Sequence, residues 1–452
     1  MTIAPRCVKT VAMIELLSPA GSLKAMRYAF AYGADAVYAG LPRYSLRARN
    51  NSFRQENIGI GIEEAHAQGK QFFLTVNLMP HNDKVRTFMK HMKPLIEMGP
   101  DALIMADPGL IMMIREEWPE VPVHLSVQAN TVNWAAVKFW QSVGITRVIL
   151  SRELSLKEIE EIRQRCPDME IEVFVHGALC IAYSGRCLLS GYFNSRDANQ
   201  GTCTNACRWD YKPVAAEETA EGDLKPTNGG CGCGPSQQEA PEPMLIEEGN
   251  RPGQLMPIEE DEHGTYILNS KDLRAVEHVE KLVKIGVNCL KIEGRTKSPY
   301  YVARTAQVYR QAIDDALAGR EFDPKSVGVL ENLANRGYTD GFFKRHHSQE
   351  YQNYMTGYSR SHQQQYVGEV IRIEDGYAHI DVKNKFEVGD RLELITPEGN
   401  RDIVLEHMED LNGNPKPLAP GNGHFVRIPA DLINSEMGMI ARYNEVGATV
   451  AN

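Results

Sequence analysis

The stretch IELLSPAGSLKAMRYAFAYGADAVYAG, residues 14–40, contains two short apolar runs separated by a helical pattern. The runs IELLS (14–18) and AVYAG (36–40) have the length of buried strands. Between them, SLKAMRYAFAYG has helical spacing and ends on Gly33, a residue typical of the position after a helix. A strand, a helix and a second strand in this order predict an α/β fold with a parallel sheet.

The same alternation continues to residue 294. Six more apolar runs follow: FFLTVNL (72–78), ALIMAD (102–107), VHLSVQA (123–129), RVILSRE (147–153), IEVFVHG (171–177) and VNCLKIEG (287–294). The intervening NWAAVKFWQSVG ends on Gly144, and SLKEIEEIRQRC begins with Ser155 as a helix N-cap. Eight strands separated by helices predict a (β/α)8 TIM-barrel-like domain. A doubly wound open sheet is the alternative, which the lack of G-x-G-x-x-G after the first strand disfavours.

Two departures from this pattern define the domain organisation. The connection over 178–286 is far longer than the others and carries a cysteine segment (178–210) and an acidic stretch (about 213–243) without aromatic residues, which we predict to be a mobile loop. TYILN (265–269) is predicted to be a further strand. After residue 360 short alternating strands separated by Gly, Asp and Asn turns predict a small antiparallel β-barrel. We therefore predict a catalytic domain over 1–360 and a C-terminal β-barrel domain over 361–452.

Composition excludes several classes of protein. With 42% hydrophobic and 24% charged residues in 452, the chain is neither disordered throughout nor a fibre. No apolar run approaches 18 residues, so no membrane span is expected. The N-terminal residues lack the apolar core of a signal peptide, and we expect a cytoplasmic protein in a reducing compartment.

Charge is distributed unevenly along the chain. The formal net charge of −10 speaks against a sequence-blind nucleic-acid binder, because such proteins need a positive field. Residues 213–262 hold 12 acidic and 2 basic side chains, and residues 361–452 hold 15 and 8. The remaining 32 acidic and 39 basic side chains give the main body a net charge of +7. An anionic substrate is therefore compatible with the main body.

Six of the nine cysteines fall within 54 residues. Cys180, Cys187, Cys203 and Cys207 follow the seventh strand, on the rim where barrel enzymes place their chemistry. Four thiolates in a reducing cell suit a tetrahedral zinc ion or an iron–sulfur cluster, although the spacing matches neither a zinc knuckle nor a ferredoxin. Buried small hydrophobic cysteines are the alternative.

The sequence EVFVHGALCIAYSGRCLLS, residues 172–190, resembles the signature of the U-32 peptidase family, the collagenase-like proteases. The resemblance extends over nearly the whole chain, through HLSVQANTVNWAAVKFW, GTCTNACRW and KIEGRTKSPYYVARTAQVYRQAIDDA, and includes the C-terminal β-barrel. Within this family it is strongest to prephenate-dependent tRNA uridine hydroxylases.

The resemblance implies a cofactor, a reaction and partners. Four cysteines of such relatives bind a 4Fe-4S iron-sulfur cluster. By resemblance, three of these ligands correspond to Cys180, Cys187 and Cys203. The fourth ligand corresponds to Cys207, with Cys231 or Cys233 as alternatives to Cys207. It also implies prephenate-dependent, oxygen-independent hydroxylation of the wobble uridine in tRNA to 5-hydroxyuridine. The partners would be the tRNA anticodon loop, prephenate, an electron donor and the iron–sulfur assembly machinery.

Polar residues at the ends of the predicted strands are the candidate site residues, because barrel enzymes act there. The catalytic candidates are His176, Glu153, Lys291 and Glu293. The candidates for substrate binding are Asn77, Gln128, Arg152 and Arg295. Lys291, Glu293 and Arg295 alternate along the last strand and should point to one side of it, where they could hold a carboxylate or phosphate. An internal ion-pair network is the alternative interpretation.

The segment PRYSLRARNNSFR, residues 42–54, contains four arginines and no acidic residue. Arg43, Arg47 and Arg49 are predicted to bind phosphates, and the interleaved Tyr44 and Phe53 to stack on unpaired bases. A solvated basic face is the alternative. Two other functions remain open at this stage: a U-32 type peptidase, although neither a protease triad nor H-E-x-x-H is apparent, and a non-catalytic RNA-binding or assembly factor.

Overall fold

The computed structural model describes residues 14–41, 43–45, 53–179, 271–335, 337–344 and 364–444, together with the backbone of six short strands between 216 and 265. The strands up to residue 344 are, in chain order, β1 Glu15–Pro19, β2 Ala36–Ala39, β3 Gln71–Val76, β4 Ala102–Met105, β5 Val123–Leu125, β6 Arg147–Ile149, β7 Glu170–Ala178, β8 Ala216–Glu218, β9 Leu224–Pro226, β10 Met244–Glu247, β11 Leu255–Ile258, β12 Glu260–Asp261, β13 Gly264–Thr265, β14 Asp272–Arg274, β15 Cys289–Ile292 and β16 Tyr338–Thr339.

Strands β1 to β7 and β15 form a closed parallel barrel. Each pairs with its neighbour in chain order, and β15 closes the ring by pairing with both β7 and β1. All eight lie where the apolar runs predicted strands, so the predicted (β/α)8 fold is confirmed. The strands are short and buried on both faces, which is why they read as continuous apolar runs.

Helices alternate with these strands and cover the barrel. They are α1 Leu23–Ala31, α2 Gln55–Ala67, α3 Asn82–Ile96, α4 Pro108–Glu117, α5 Trp134–Ser142, α6 Leu156–Arg165, α7 Val279–Ile285, α8 Pro299–Leu317 and α9 Lys325–Glu331. Ser155 caps α6 in a capping box with Glu158, as its position predicted. Gly33 and Gly144 follow α1 and α5 with φ of +104° and +86°, the backbone conformation expected of glycine after a helix.

Strand β7 is longer than the other barrel strands and leaves the ring at its carboxyl end. There β14 pairs with it antiparallel, with Asp272 opposite Ala178, and β16 pairs with β14. The apolar pattern did not predict these two strands, because three- and two-residue strands carry no periodicity of their own. In the predicted strand 265–269 only Thr265 lies within the described part of the chain, at the end of β13.

The C-terminal part is antiparallel, as predicted. Its strands are β17 Gln364–Glu374, β18 Tyr377–Val382, β19 Phe386–Glu387, β20 Arg391–Thr396, β21 Gly399–Val404, β22 Leu418–Ala419, β23 Phe425–Pro429 and β24 Met439–Tyr443. Six form a sheet in the order β21-β20-β24-β17-β18-β23, and the β19–β22 pair packs on the same apolar core through Phe386 and Ala419.

The β domain packs on the outer face of α1 and α8. The hydroxyl of Tyr32 lies 3.0 Å from the carbonyl oxygen of Ile395 and 2.9 Å from that of Met437. The buried Arg304 of α8 forms an ion pair with Glu393 at 3.0 Å. Because these groups are buried and hydrogen-bonded, the β domain is held against the barrel. No helix in the described ranges is long and apolar enough to cross a membrane.

Candidate active site

The carboxyl end of β15 carries three of the predicted site residues. The ammonium of Lys291 lies 4.3 Å from the centre of the Tyr38 ring, and the guanidinium of Arg295 lies 5.6 Å from the same ring. A carboxylate oxygen of Glu293 lies 3.3 Å from the Tyr38 hydroxyl, which donates to the carbonyl oxygen of Ile292 at 2.9 Å. All three therefore meet at Tyr38, Lys291 from within β15 and Glu293 and Arg295 from the residues that follow it.

Arg152, from the loop after β6, also belongs to this group. Its guanidinium lies 3.9 Å above the Phe174 ring and 3.6 Å from a carboxylate oxygen of Glu293. Phe174 also lies 5.4 Å from the Lys291 ammonium. We name as the rim cluster the residues Tyr38, Arg152, Phe174, Lys291, Glu293 and Arg295. Three cations and one carboxylate around two aromatic rings can hold a small anion that has an apolar ring of its own.

Glycine 177 is needed for this arrangement. Its φ is +103°, and a Cβ atom there would lie 2.4 Å from the carbonyl oxygen of Glu293. The amide of Glu293 in turn donates to the carbonyl oxygen of His176 at 2.8 Å. Only glycine allows β7 to approach Glu293 this closely, which gives a physical reason for this residue of the signature.

Asn77, Gln128 and Glu153 lie on other strand ends. The Asn77 amide donates to the hydroxyl of Ser126 at 3.2 Å, and the backbone amide of Gln128 is 3.4 Å from the same oxygen. Glu153 accepts a hydrogen bond from Ser151. These predicted residues are thus held by serines at the ends of β5 and β6.

A buried charge network lies below the rim cluster. Glu172 is fully buried and binds Lys291 at 2.7 Å and Arg147 at 3.5 Å, and Arg147 also binds Glu15 at 2.6 Å. Burial raises the pKa of Glu15, against the lowering effect of Arg147. The sequence analysis did not single out Glu172 or Arg147 as site residues. A charged residue inside each apolar run, in IEVFVHG and RVILSRE, was the available signal.

His176 faces away from the rim cluster. The pairing of β7 with β15 shifts by one residue, so that Lys291 lies opposite Phe174 but Ile292 opposite His176. This irregularity turns the imidazole outward, where Nδ1 lies 3.3 Å from the Tyr309 hydroxyl and Nε2 lies 3.5 Å from that of Tyr338. Burial lowers the pKa of His176 to about 3. The imidazole is therefore neutral at pH 7, and its role as a proton donor stays a prediction.

The lowered pKa predicts a pH dependence of stability. An unfolded histidine titrates near pH 6.5, so between about pH 6.5 and 3 the unfolded chain binds a proton that folded His176 does not. Stability from this group is present above pH 6.5 and is lost as the pH falls, by up to about 1.4 kcal/mol per pH unit. We expect H176Q to show a flatter decline in urea unfolding free energy than the wild type. Parallel curves for the two proteins would contradict the assignment.

The structure describes only part of the arginine-rich segment 42–54. Arg43 is exposed and donates to the hydroxyl of Thr87 at 3.3 Å, whereas Arg47 and Arg49 lie outside the described residues. The prediction that Tyr44 and Phe53 stack on bases is wrong, because both are buried. Tyr44 packs on Phe88 at 5.4 Å between ring centres, and Phe53 is fully buried in the core. An aromatic side chain in a loop becomes buried when an apolar surface of the neighbouring helices is available to pack against.

The predicted cluster ligands Cys180, Cys187, Cys203 and Cys207, and the alternatives Cys231 and Cys233, also lie outside the described residues. Strand β7 ends at Ala178, two positions before Cys180. Within the described ranges no group of three His, Cys, Asp or Glu side chains could hold a metal ion. Across the same ranges no serine or cysteine side chain hydrogen-bonds to a histidine, so a protease-like pair is not seen there.

A parallel barrel with charged and aromatic side chains gathered at the carboxyl ends of its strands defines the enzyme class of (β/α)8 barrels. Comparison with family models matches residues 21–353 to peptidase family U32 and residues 362–442 to the C-terminal domain of that family. The chain belongs to peptidase family U32.

Three relatives show which members of the family the chain is similar to. The chain is 62% identical to tRNA hydroxylation protein P of Escherichia coli strain K12, over 92% of this chain and 93% of the relative. It is 58% identical to tRNA hydroxylation protein P of Haemophilus influenzae, over 92% and 94%. It is 32% identical to the 23S rRNA 5-hydroxycytidine C2501 synthase of Escherichia coli, over 73% of this chain and 42% of that longer protein.

Proposed function

We propose that this chain is a tRNA uridine 5-hydroxylase that converts the wobble uridine to 5-hydroxyuridine and requires prephenate. The observation that carries the proposal is the 62% identity, over 92% of the chain, to a protein named for tRNA hydroxylation. The relative that acts on 23S rRNA is named for 5-hydroxycytidine, which is also a 5-hydroxylated pyrimidine. Hydroxylation of RNA is thus the chemistry common to these names.

The rim cluster supports this proposal through its charge and shape. Prephenate carries two carboxylates, and Arg295 and Lys291 are the cations predicted to bind them. Lys291 is paired with Glu172 at 2.7 Å, and Arg152, which lies 3.6 Å from Glu293, is a further candidate beside Arg295. The faces of Tyr38 and Phe174 would contact the ring of the ligand.

The uridine must leave its base stack to reach this site. Unpaired anticodon bases can be splayed out at a lower cost than bases in a duplex, and the proposed site lies at the ends of the barrel strands. Glu153 and Glu293 are the carboxylates proposed for proton transfer, and Asn77 and Gln128 are proposed to contact the base.

An iron–sulfur cluster is the proposed cofactor, with Cys180, Cys187, Cys203 and Cys207 as ligands. A 4Fe-4S cluster would supply electron transfer or activation of an oxygen donor. The proposal includes an electron donor and the iron–sulfur assembly machinery as partners, and a cytoplasmic location.

Mass spectrometry of tRNA nucleosides from a deletion strain tests the function. We expect 5-hydroxyuridine at the wobble position to be lost on deletion and restored by the wild-type gene, but not by R152Q with R295Q. Unchanged 5-hydroxyuridine in the deletion strain contradicts the proposal. Cleavage of collagen-like peptides by the purified protein after replacement of all four cysteines would favour a peptidase instead, and full modification with inactive site variants would favour an assembly factor.

A further inference from the structure

Helix α3 carries an excess of basic side chains beside the barrel mouth. Lys84, Arg86, Lys90 and Lys93 are opposed within the helix by Asp83 alone. Asp83 is almost fully exposed and pairs with Arg86 at 2.9 Å. Since α3 follows β3, its first turn lies at the carboxyl rim of the barrel. Lys84 in this first turn is thus presented near the mouth, whereas Lys93 lies in the last turn, away from it.

Arg43, from the loop after β2, lies against this first turn. Its guanidinium donates to the Thr87 hydroxyl at 3.3 Å, and that hydroxyl donates to the carbonyl oxygen of Lys84 at 3.3 Å. Partial burial, and then the charge of Arg43, lower the pKa of Lys84. Two cations from different elements are therefore held side by side, and among the described residues Arg43 takes part in no ion pair. Two like charges at this close approach raise the local positive potential, which favours the binding of an anion beside them.

The neighbouring helix ends add to this positive potential. Of the described helices with nine or more residues, α1, α4, α5, α6 and α8 receive a hydrogen bond from the side chain of their N-cap residue. The N-caps of α2 and α3 are Arg54 and His81, and neither side chain caps its helix. The N-terminal ends of both helices, where their dipoles are positive, point to the same rim, and each first turn also carries one acidic residue, Glu56 in α2 and Asp83 in α3.

We propose that Arg43 and Lys84 bind backbone phosphates of the RNA substrate on this sector of the rim. The inference rests on the proposed function, because the anion is taken to be the tRNA whose uridine enters the barrel. Arg43 is exposed and Lys84 is half-buried at the carboxyl rim, which suits a polyanion lying across the mouth. A nucleotide flipped into the barrel keeps a phosphate on each side of it, so cations at the edge of the mouth would fix its position.

The test is tRNA binding by fluorescence anisotropy at several salt concentrations, with a tRNA transcript that carries uridine at the wobble position. For R43Q with K84Q we expect the dependence of log K on log salt to become shallower by about 1 to 2. The dissociation constant should rise roughly tenfold or more near 0.1 M salt. The conservative pair R43K with K84R should keep the wild-type slope, because it preserves both charges.

A charge-matched control uses exposed lysines away from the rim. Lys93 lies in the last turn of α3, about 13 Å along the helix axis from Lys84, and Lys284 lies in the last turn of α7. K93Q with K284Q removes the same two charges and should bind as the wild type does. Equal loss in both double variants, or no loss in R43Q with K84Q, would overturn the phosphate site while leaving the proposed function intact. Failure of the wild type to bind tRNA would overturn both.

Thermal unfolding of each variant separates a loss of binding from a loss of folding. Arg43 and Lys84 lie on the surface of the barrel, so both double variants should unfold within a few degrees of the wild type. If R43Q with K84Q is unstable, the single variants R43Q and K84Q should each make the salt dependence shallower by about half as much. Single variants with the full wild-type salt dependence would overturn the proposal.

Discussion

E172Q is expected to lower the free energy of unfolding by about 3–5 kcal/mol, the range measured when one partner of a buried ion pair is removed. Glu172 is fully buried, and its two carboxylate oxygens bind Lys291 at 2.7 Å and Arg147 at 3.5 Å. The variant leaves the Lys291 ammonium inside the barrel without its carboxylate. Urea unfolding followed by circular dichroism measures the change.

Two further variants make this prediction specific. Glu170, on the same strand, also binds Arg147 at 2.7 Å, but its side chain is 49% exposed, so E170Q should cost less than about 1 kcal/mol. Replacing both partners, as E172M with K291M, should recover much of the lost stability, because no carboxylate or ammonium stays buried at these two positions, while Arg147 keeps Glu15 and Glu170 as partners. An E172Q protein as stable as E170Q would show that the ion pair contributes little.

The double variant also separates the two interpretations of Lys291. If Lys291 only balances Glu172, E172M with K291M should keep 5-hydroxyuridine in tRNA. If Lys291 binds prephenate, the double variant should be stable and inactive. The same nucleoside assay that tests the proposed function gives this answer.

C187A is expected to remove 5-hydroxyuridine from tRNA and to reduce the iron and sulfide content of the anaerobically purified protein. A 4Fe-4S cluster needs its thiolate ligands, and loss of one exposes the cluster to solvent and oxidation. Iron and acid-labile sulfide analysis gives the cluster content, and nucleoside mass spectrometry gives the activity.

C166A is the matched control for C187A. Cys166 is buried at the end of α6, and its thiol donates to the carbonyl oxygen of Trp134. Its loss should cost some stability but should leave both iron content and 5-hydroxyuridine unchanged. A wild-type protein that contains zinc and no iron, or a C187A protein with full modification, would contradict the cluster assignment.

The fold could be predicted from the sequence because each of its elements is encoded locally. The length of the apolar runs, the helical spacing between them, and residues such as Ser155 and Gly33 identify strands, helices and their ends without knowledge of distant parts of the chain. The alternation of Lys291 and Glu293 likewise predicted one side of the strand for both side chains, because the side-chain period of a strand is two.

The sequence by itself determined the barrel, the antiparallel C-terminal domain and the strand ends at which a site could form. Only the tertiary structure decided which polar residues meet. The one-residue shift between β7 and β15 turns His176 away from the rim cluster. Tyr44 and Phe53 pack into the core. Glu172 forms an ion pair with Lys291, which lies 119 positions later in the chain. The physical reason is that strand and helix periodicity are local properties, whereas register, burial and ion pairing depend on segments that only folding brings together.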